Sequence, residues 1–164
     1  MPIDLRAHGL RNADFELVAI DETDCIGSVI ERFATSSGRP LVAVAIEDAD
    51  EDLDVTVQAQ AVLHPRDHIH FHRRHMVAVT VEYAGRPPIE RNFRPNKRAK
   101  RVYDWAVGEG GYGFNPIDAA ELVLATGSPP SSWIRVNVES HVGDLAGPDD
   151  RLKLWLVPKS FFQG

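Results

Sequence analysis

Residues 148–158 of this chain read PDDRLKLWLVP, a polar turn followed by a strand in which apolar and polar side chains alternate until Pro158 ends it. Residues 65–71, which read PRDHIHF, repeat this combination in the first half of the chain, with Ile69 and Phe71 at the apolar positions. The two stretches predict that each half of the chain closes with a similar strand.

The elements before the first of these strands follow from hydrophobic periodicity and turn residues. Ile26, Val29, Ile30 and Phe33 recur at helical spacing and form one apolar face. The predicted elements of the first half are strands at 3–10 and 15–20, a helix at 23–38 capped by Thr23 or Asp24 and ended by Gly38, and strands at 41–46, 55–62 and 68–72.

The second half repeats this order. Its predicted elements are strands at 76–83 and 89–93, a helix that Asn96 caps and Gly108 ends, and strands at 121–125, 133–138 and 152–157. Each half therefore has the order hairpin, helix, strand, strand, turn, strand, which is the order of the β-grasp fold. The predicted fold class is α+β with two tandem β-grasp domains at 1–73 and 74–158, followed by a tail at 159–164. One larger α+β domain is the alternative.

Composition restricts the class of protein. The chain has 164 residues, 43% hydrophobic and 26% charged, as in soluble globular proteins. It lacks a membrane-length apolar run and a signal-peptide pattern, and its single Cys25 cannot form an internal disulfide, so we expect a cytoplasmic protein without a membrane partner. Residues 1–74 hold 14 Asp and Glu against 7 Arg and no Lys, which argues against nucleic-acid binding.

The element order and the two closing strands resemble tandem ubiquitin-like modifiers, in particular the bacterial BilA-type proteins, counterparts of the eukaryotic interferon-stimulated two-domain modifier. The segment 121–127 is similar to the ubiquitin strand that ends in Ala-Gly. The resemblance implies a non-enzymatic modifier whose C-terminal carboxylate is joined to a target lysine by an isopeptide bond. It also implies a ubiquitin-activating-like enzyme that uses ATP, a ubiquitin-conjugating-like enzyme, a JAB-type metallopeptidase, and a role in defence against phage.

The tail has the features that such chemistry requires. A residue without a Cβ threads a narrow active-site channel most easily, which favours Gly164 as the conjugation point at the end of a projecting tail. Ubiquitin ends in two glycines, whereas Gln163 is penultimate here and Phe161 and Phe162 precede it. We predict that these three residues are recognised by a partner enzyme. The alternative for the two aromatic rings is that they dock on the protein's own core.

Two other groups of residues are weighed against simpler roles. The basic residues Arg94, Lys97, Arg98 and Arg101 are a candidate docking patch for an acidic enzyme, or the solvent face of the second helix. His68, His70 and His72 alternate along one strand and are weak candidates for a metal site, or for the solvent face of that strand. No cofactor is expected in the protein itself.

Three functions remain open at this stage. The first is a covalent modifier that is conjugated through Gly164. The second is a tandem ubiquitin-like adaptor that binds partners and is never conjugated. The third is a small metal-dependent enzyme that uses the histidine strand, but it lacks a convincing base, nucleophile or pocket.

Overall fold

The computed structural model describes residues 1–10, 15–73, 75–127, 132–146 and 149–163. Its elements are β1 (Pro2–His8), β2 (Glu16–Asp21), α1 (Ile26–Ser37), β3 (Ala43–Ile46), α2 (Ala59–Val62), β4 (His68–His72), β5 (Val77–Tyr83), β6 (Arg86–Phe93), α3 (Ala99–Val107), α4 (Pro116–Ala120), β7 (Leu122–Thr126), β8 (Ile134–Arg135), α5 (Val142–Leu145), β9 (Arg151–Pro158) and a 3₁₀ turn (Lys159–Phe162). Within the described stretches, no helix has both the length and the apolar character needed to cross a membrane.

The chain divides into two compact units. The first unit consists of Met1–His75 together with Arg94–Lys97, and the second of Met76–Phe93 and the chain from Arg98 onward. The predicted boundary between residues 73 and 74 did not assign Arg94–Lys97 to the first unit.

The first unit is a four-stranded sheet in the order β2-β1-β4-β3, with β1 and β4 as parallel central neighbours. Helix α1 buries Ile26, Val29 and Ile30 against the sheet, where Leu5 and Ile69 are fully buried. The apolar spacing predicted from the sequence is therefore the face that packs. Fully burying one such side chain contributes about 1.5–3 kcal/mol of transfer free energy.

The second unit is a five-stranded sheet in the order β6-β5-β9-β7-β8, again with a parallel central pair, β5 and β9. Val102 and Ala106 of α3 are fully buried in a core that includes Val79, Leu124 and Leu154. Both units thus place the first strand of a hairpin beside the last strand and lay one helix on the sheet. The predicted α+β class with two β-grasp domains is confirmed.

The segment predicted as a strand at 55–62 instead lies across the start of α1, so that prediction is wrong. The backbone amides of Ile26 and Gly27 donate to the carbonyls of Val57 and Val55, at 2.9 and 2.8 Å. The first amides of a helix have no acceptor within the helix. The carbonyls of this segment satisfy them, and only the end of the segment is regular, as the short helix α2.

The second unit repeats this arrangement. The amides of Ala99 and Lys100 donate to the carbonyls of Ser140 and Val138, at 2.7 and 2.8 Å. The strand predicted at 133–138 is accordingly reduced to the two residues of β8. Val136 makes one further hydrogen bond to β7, and the carbonyl of Val138 is bonded to the helix instead of the sheet.

Thr23, Asp24 and Asn96 do not cap the helices, contrary to the prediction. The N-cap residues are Cys25 and Arg98, and neither makes a side-chain capping hydrogen bond. Backbone carbonyls from a later segment already occupy the first amides, so a capping side chain has little left to satisfy. At the other end of α1, Gly38 adopts a φ of 67°, the left-handed conformation predicted for a helix-ending glycine.

Asn96 has a different role within the first unit. Its side chain is fully buried, and Nδ2 donates to the carbonyls of Ile46 and Ala49, at 2.9 and 3.0 Å. These carbonyls lie at the end of β3 and in the loop that follows. One amide group therefore holds the end of an edge strand and its loop together.

We expect Asn96→Ala to lower the free energy of unfolding by about 1–3 kcal/mol, because it removes both hydrogen bonds of a buried amide to partly buried carbonyls. Urea denaturation followed by circular dichroism measures this change. Asn92→Ala is the matched control, since Asn92 is exposed on β6 and its replacement should be nearly neutral. Equal midpoints for the two variants would show that the Asn96 hydrogen bonds do not stabilise the unit.

Candidate functional site

The second sheet has an apolar face on the side opposite α3, here called the outer face. Val123, Ala125 and Val157 are buried on it, and Trp133 and Trp155 pack against them. Trp155 and Val157 occupy the positions of β9 that alternate with its core-facing leucines. The sequence contains a signal for this second apolar face. If the face were only solvated, Trp155 and Val157 would be replaced by polar residues.

The tail turns back at the end of β9. Lys159–Phe162 form a 3₁₀ turn, in which the amide of Gln163 donates to the carbonyl of Ser160 at 3.2 Å. The amide of Lys159 donates to the carbonyl of Glu121 at 2.8 Å, which ties the start of the turn to the residue before β7. This part of the tail is folded against the sheet, whereas the sequence predicted a projecting tail.

The two aromatic residues of the tail lie in different environments. Phe162 is partly buried and packs against the cluster formed by Val123, Ala125 and Val157. Phe161 is 46% exposed, and its ring centroid lies 4.9 Å from that of Trp133 in an edge-to-face arrangement.

Phe162 therefore docks on the protein's own sheet, whereas Phe161 presents an exposed aromatic surface. Gln163 is exposed, and Gly164 lies outside the described residues. Recognition of these residues by a partner enzyme stays a prediction.

A cavity of about 530 Å³ opens beside the tail, within the second unit. Trp133, Trp155 and Pro158 contribute its apolar wall, and Glu82 and Arg86 stand at the β5–β6 hairpin end. Glu82 pairs with the side chain of Lys153 at 3.2 Å. Its volume lies in the range of about 300–1,000 Å³ that is typical of binding clefts.

The four basic residues predicted as a docking patch are Arg94, Lys97, Arg98 and Arg101. In the first unit, Arg94 pairs with Asp52, and Lys97 pairs with Asp50 at 2.7 Å; their side chains are only 17% and 11% exposed. In the second unit, Arg98 pairs with Glu139 at 2.7 Å, and Arg101 is exposed on α3. Arg94 and Lys97 thus belong to the internal ion pairs of the first unit.

The three strand histidines, His68, His70 and His72, do not share one environment. Arg6 Nη1 lies 3.1 Å from His68 Nε2. An arginine only donates, so this nitrogen accepts and Nδ1 of the same ring donates to His8 Nε2, at 3.0 Å. His70 stacks on the ring of His8 with a centroid distance of 4.3 Å.

His72 lies further along β4, beside Asp52. His70 and His72 are 3% and 2% exposed, so the expectation that they form a solvent face is wrong. The polar side of β4 is occupied by rings and ion pairs of the first unit.

His72 is a neutral imidazole in a charged neighbourhood. Its Nε2 lies 3.8 Å from Asp52 Oδ1, too far for a hydrogen bond. The Asp52 carboxylate is instead bonded to Arg94 and to His75, the latter at 2.8 Å. Burial lowers the pKa of His72 from 6.5 to about 4, and the nearby Asp52 only partly opposes this shift.

Residues 78–159, half of the chain, match the model of a family described as BilA ubiquitin-like domain 2. The chain belongs to the BilA ubiquitin-like family. The BilA match begins in β5, includes every later strand of the second unit, and ends one residue after β9. It therefore contains the central strands of the outer face and stops where the tail begins.

Solved structures resemble this BilA-family chain only in part. A chain of the toluene 4-monooxygenase HD complex with the inhibitor 4-bromobenzoate is 19% identical, with a TM-score of 0.37, and the match covers 43% of this chain and 96% of that one. The C-domain of the Hsp90 co-chaperone Cns1 from Saccharomyces cerevisiae is 12% identical, with a TM-score of 0.40, and the match covers 54% of this chain and 63% of that one.

A longer form of Cns1 is also 12% identical, with a TM-score of 0.41 and coverage of 54% and 33%. The BilA-family chain thus matches less than two thirds of either Cns1 chain. No curated protein matches it significantly.

The buried state of His72 predicts an acid-sensitive first unit. Because its pKa is about 4 in the folded chain and about 6.5 when exposed, the unfolded chain binds more protons between these values. The stabilisation is complete above pH 6.5 and is lost as the pH falls towards 4, by about 3 kcal/mol in all. Urea denaturation at several pH values measures it.

His72→Leu should remove this part of the pH dependence, because leucine does not titrate. His64→Gln is the matched control, since the side chain of His64 is 80% exposed, and this variant should keep the slope of the wild type. A His72→Leu curve that runs parallel to the wild-type curve would contradict the assignment.

Proposed function

We propose that this protein is a ubiquitin-like modifier that partner enzymes join covalently, through the carboxylate of Gly164, to lysine side chains of target proteins. The observation that carries the proposal is the match of the second unit to the BilA ubiquitin-like domain. Because β9 ends at Pro158, five residues, 159–163, separate the sheet from the reactive glycine. The carboxylate is free either as the encoded end or after processing.

The reactive groups of the conjugation reaction, apart from the carboxylate of Gly164, belong to the partner enzymes and the target. In an activating enzyme of the ubiquitin type, a carboxylate oxygen of Gly164 attacks the α-phosphorus of ATP, forming an acyl adenylate and releasing pyrophosphate. A cysteine thiolate of that enzyme then attacks the acyl carbon and AMP leaves. The thioester passes to a cysteine of a conjugating enzyme, and a neutral lysine amine displaces that thiolate to form the isopeptide bond.

The modifier itself supplies no catalytic group in this scheme. Its contributions are a folded surface and a reactive end without a Cβ. ATP is consumed by the activating enzyme, so the modifier needs no cofactor of its own. The exposed Phe161 and the cavity beside Trp155 are the features of the second unit that suit recognition by a partner enzyme.

The family resemblance alone supports the wider biological setting of the proposal. It suggests a bacterial system in the cytoplasm that defends against phage, a JAB-type metallopeptidase that cleaves at the modifier's C-terminus, and correspondence to the eukaryotic two-domain modifier.

Deleting Gly164 should strongly reduce conjugation. With ATP and the partner activating and conjugating enzymes, intact-mass spectrometry should detect an enzyme thioester that an added thiol cleaves, and a lysine amide that resists the thiol, for the wild type. The deletion moves the carboxylate to Gln163 and adds a side chain at the reacting end, so we expect a loss on the order of 10²-fold. Glu109→Ala, in an exposed loop of the second unit, should conjugate like the wild type. Undiminished adducts from the deletion variant would disprove conjugation at Gly164.

The lysines of the modifier should differ in their ability to accept a second copy. Lys97 Nζ donates to the carbonyl of Asp48 and to Asp50, both at 2.7 Å, and its side chain is 11% exposed. The side chains of Lys100 and Lys153 are more than half exposed. Lys97 should therefore be the poorer nucleophile.

Brief labelling with an amine-reactive ester, followed by peptide mass spectrometry, tests this order without any partner enzyme. We expect Lys97 to react roughly tenfold more slowly than Lys100, since Lys97 is nearly buried and makes two hydrogen bonds, whereas Lys100 makes one at the surface, to Asp104. Equal labelling of the two lysines would contradict the prediction.

A further inference from the structure

The folded tail conflicts with the geometry that acyl transfer demands. An active-site channel must receive the glycine carboxylate on an extended backbone, which rises about 3.3–3.6 Å per residue, whereas a 3₁₀ turn rises about 2.0 Å. The four residues of Lys159–Phe162 therefore reach about 5–6 Å less far than they would when extended. The hydrogen bond from Gln163 to Ser160 must also break.

Three contacts hold the tail in this state. Phe162 packs on the apolar cluster of the outer face, Phe161 lies edge-to-face on Trp133, and the amide of Lys159 is bonded to Glu121. The first two are side-chain contacts with residues outside the tail. Extending the tail requires the loss of both, and it exposes apolar surface that is covered at rest.

We propose that docking of Phe162 on the outer face is an autoinhibitory contact that holds the modifier's tail closed, and that its release precedes adenylation of Gly164. This inference rests on the proposed function. The closed state cannot present the carboxylate at full reach, so only the open fraction is a substrate for the activating enzyme. The apparent affinity of that enzyme for the modifier is reduced by the same fraction.

Opening also changes the second sheet. Undocking uncovers Val123, Ala125 and Val157, which then form an apolar patch with Trp133 and Trp155. The open modifier thus displays a surface that the closed modifier hides. Release of the carboxylate and exposure of this patch are consequences of one movement.

Variants outside the tail test the proposal, because they leave the sequence of the tail unchanged. Trp133→Ala removes the ring that Phe161 contacts. Val123→Ala removes a smaller apolar group from the cluster on which Phe162 packs, so it disturbs the fold less. Ile117→Ala is the matched control, since Ile117 is 80% exposed on α4. Thermal unfolding verifies that each variant is folded.

The first readout is trimming of the free protein from its C-terminus by a carboxypeptidase, followed by mass spectrometry. We expect Trp133→Ala to be trimmed on the order of tenfold faster than the wild type, as for loss of a half-buried aromatic contact. Val123→Ala should be trimmed about threefold faster, in line with the smaller apolar group removed. Ile117→Ala should match the wild type. Wild-type trimming rates for both outer-face variants would overturn the docked state.

The second readout is ATP–pyrophosphate exchange by the partner activating enzyme at subsaturating modifier. We expect Val123→Ala, whose site is not part of the cavity lining, to exchange faster than the wild type by the factor seen in trimming, with no change at saturation. Faster trimming without faster exchange would overturn autoinhibition while leaving the modifier function intact. If an enzyme that has been shown to bind ATP gives no exchange with any form, the proposed function is refuted, and autoinhibition with it. The trimming result would still show whether the tail is docked.

Discussion

In each unit, the helix depends on backbone carbonyls from a later segment of the chain. The first amides of α1 are bonded to the carbonyls of Val55 and Val57, and those of α3 to the carbonyls of Val138 and Ser140. A helix start without acceptors inside a packed domain is costly, because several buried amides lose their water at once. The same segments lead into α2 and α5 and then into the last strand, which pairs with the first. One set of hydrogen bonds thus links the helix to the chain that closes the sheet.

The sequence predicts the elements that depend on side-chain identity, but it does not predict the hydrogen bonds that backbone carbonyls make. Helical spacing located α1 and α3, and alternation located β5 and β9, because burial of one face depends on side-chain identity. The sequence does not show which backbone carbonyls accept hydrogen bonds, so the alternation at residues 55–62 predicts a strand where the carbonyls of Val55 and Val57 instead bond to α1. Helix α4 is a different case, because Asn115 followed by Pro116 is a recognisable start signal, and Asn115 does cap it. Asn96 is the opposite case. Asparagine is a common capping residue, but here its side chain bonds to the carbonyls of Ile46 and Ala49 instead.

The candidate site was only partly predictable for a related reason. The sequence shows that two phenylalanines precede the last two residues, but not which of them has a surface to pack on. That surface arises when β7 and β9 become neighbours and bring Val123 and Val157 to one face. The histidines of β4 were misjudged in the same way, because the covering of a strand face depends on side chains distant in sequence. His72 lies beside Asp52 and Arg94 only after the first unit has folded.

The assignment of Arg94–Lys97 to the first unit bears on how such a protein evolves. Asn96 comes after the hairpin that opens the second unit, yet its amide completes the first. A gene cut between the two halves would therefore encode a first half without one of its internal donors. Gain or loss of a single half by recombination would demand compensating substitutions around Ile46 and Ala49. A first half expressed as residues 1–75 alone would therefore lack the donor that bonds the carbonyls of Ile46 and Ala49.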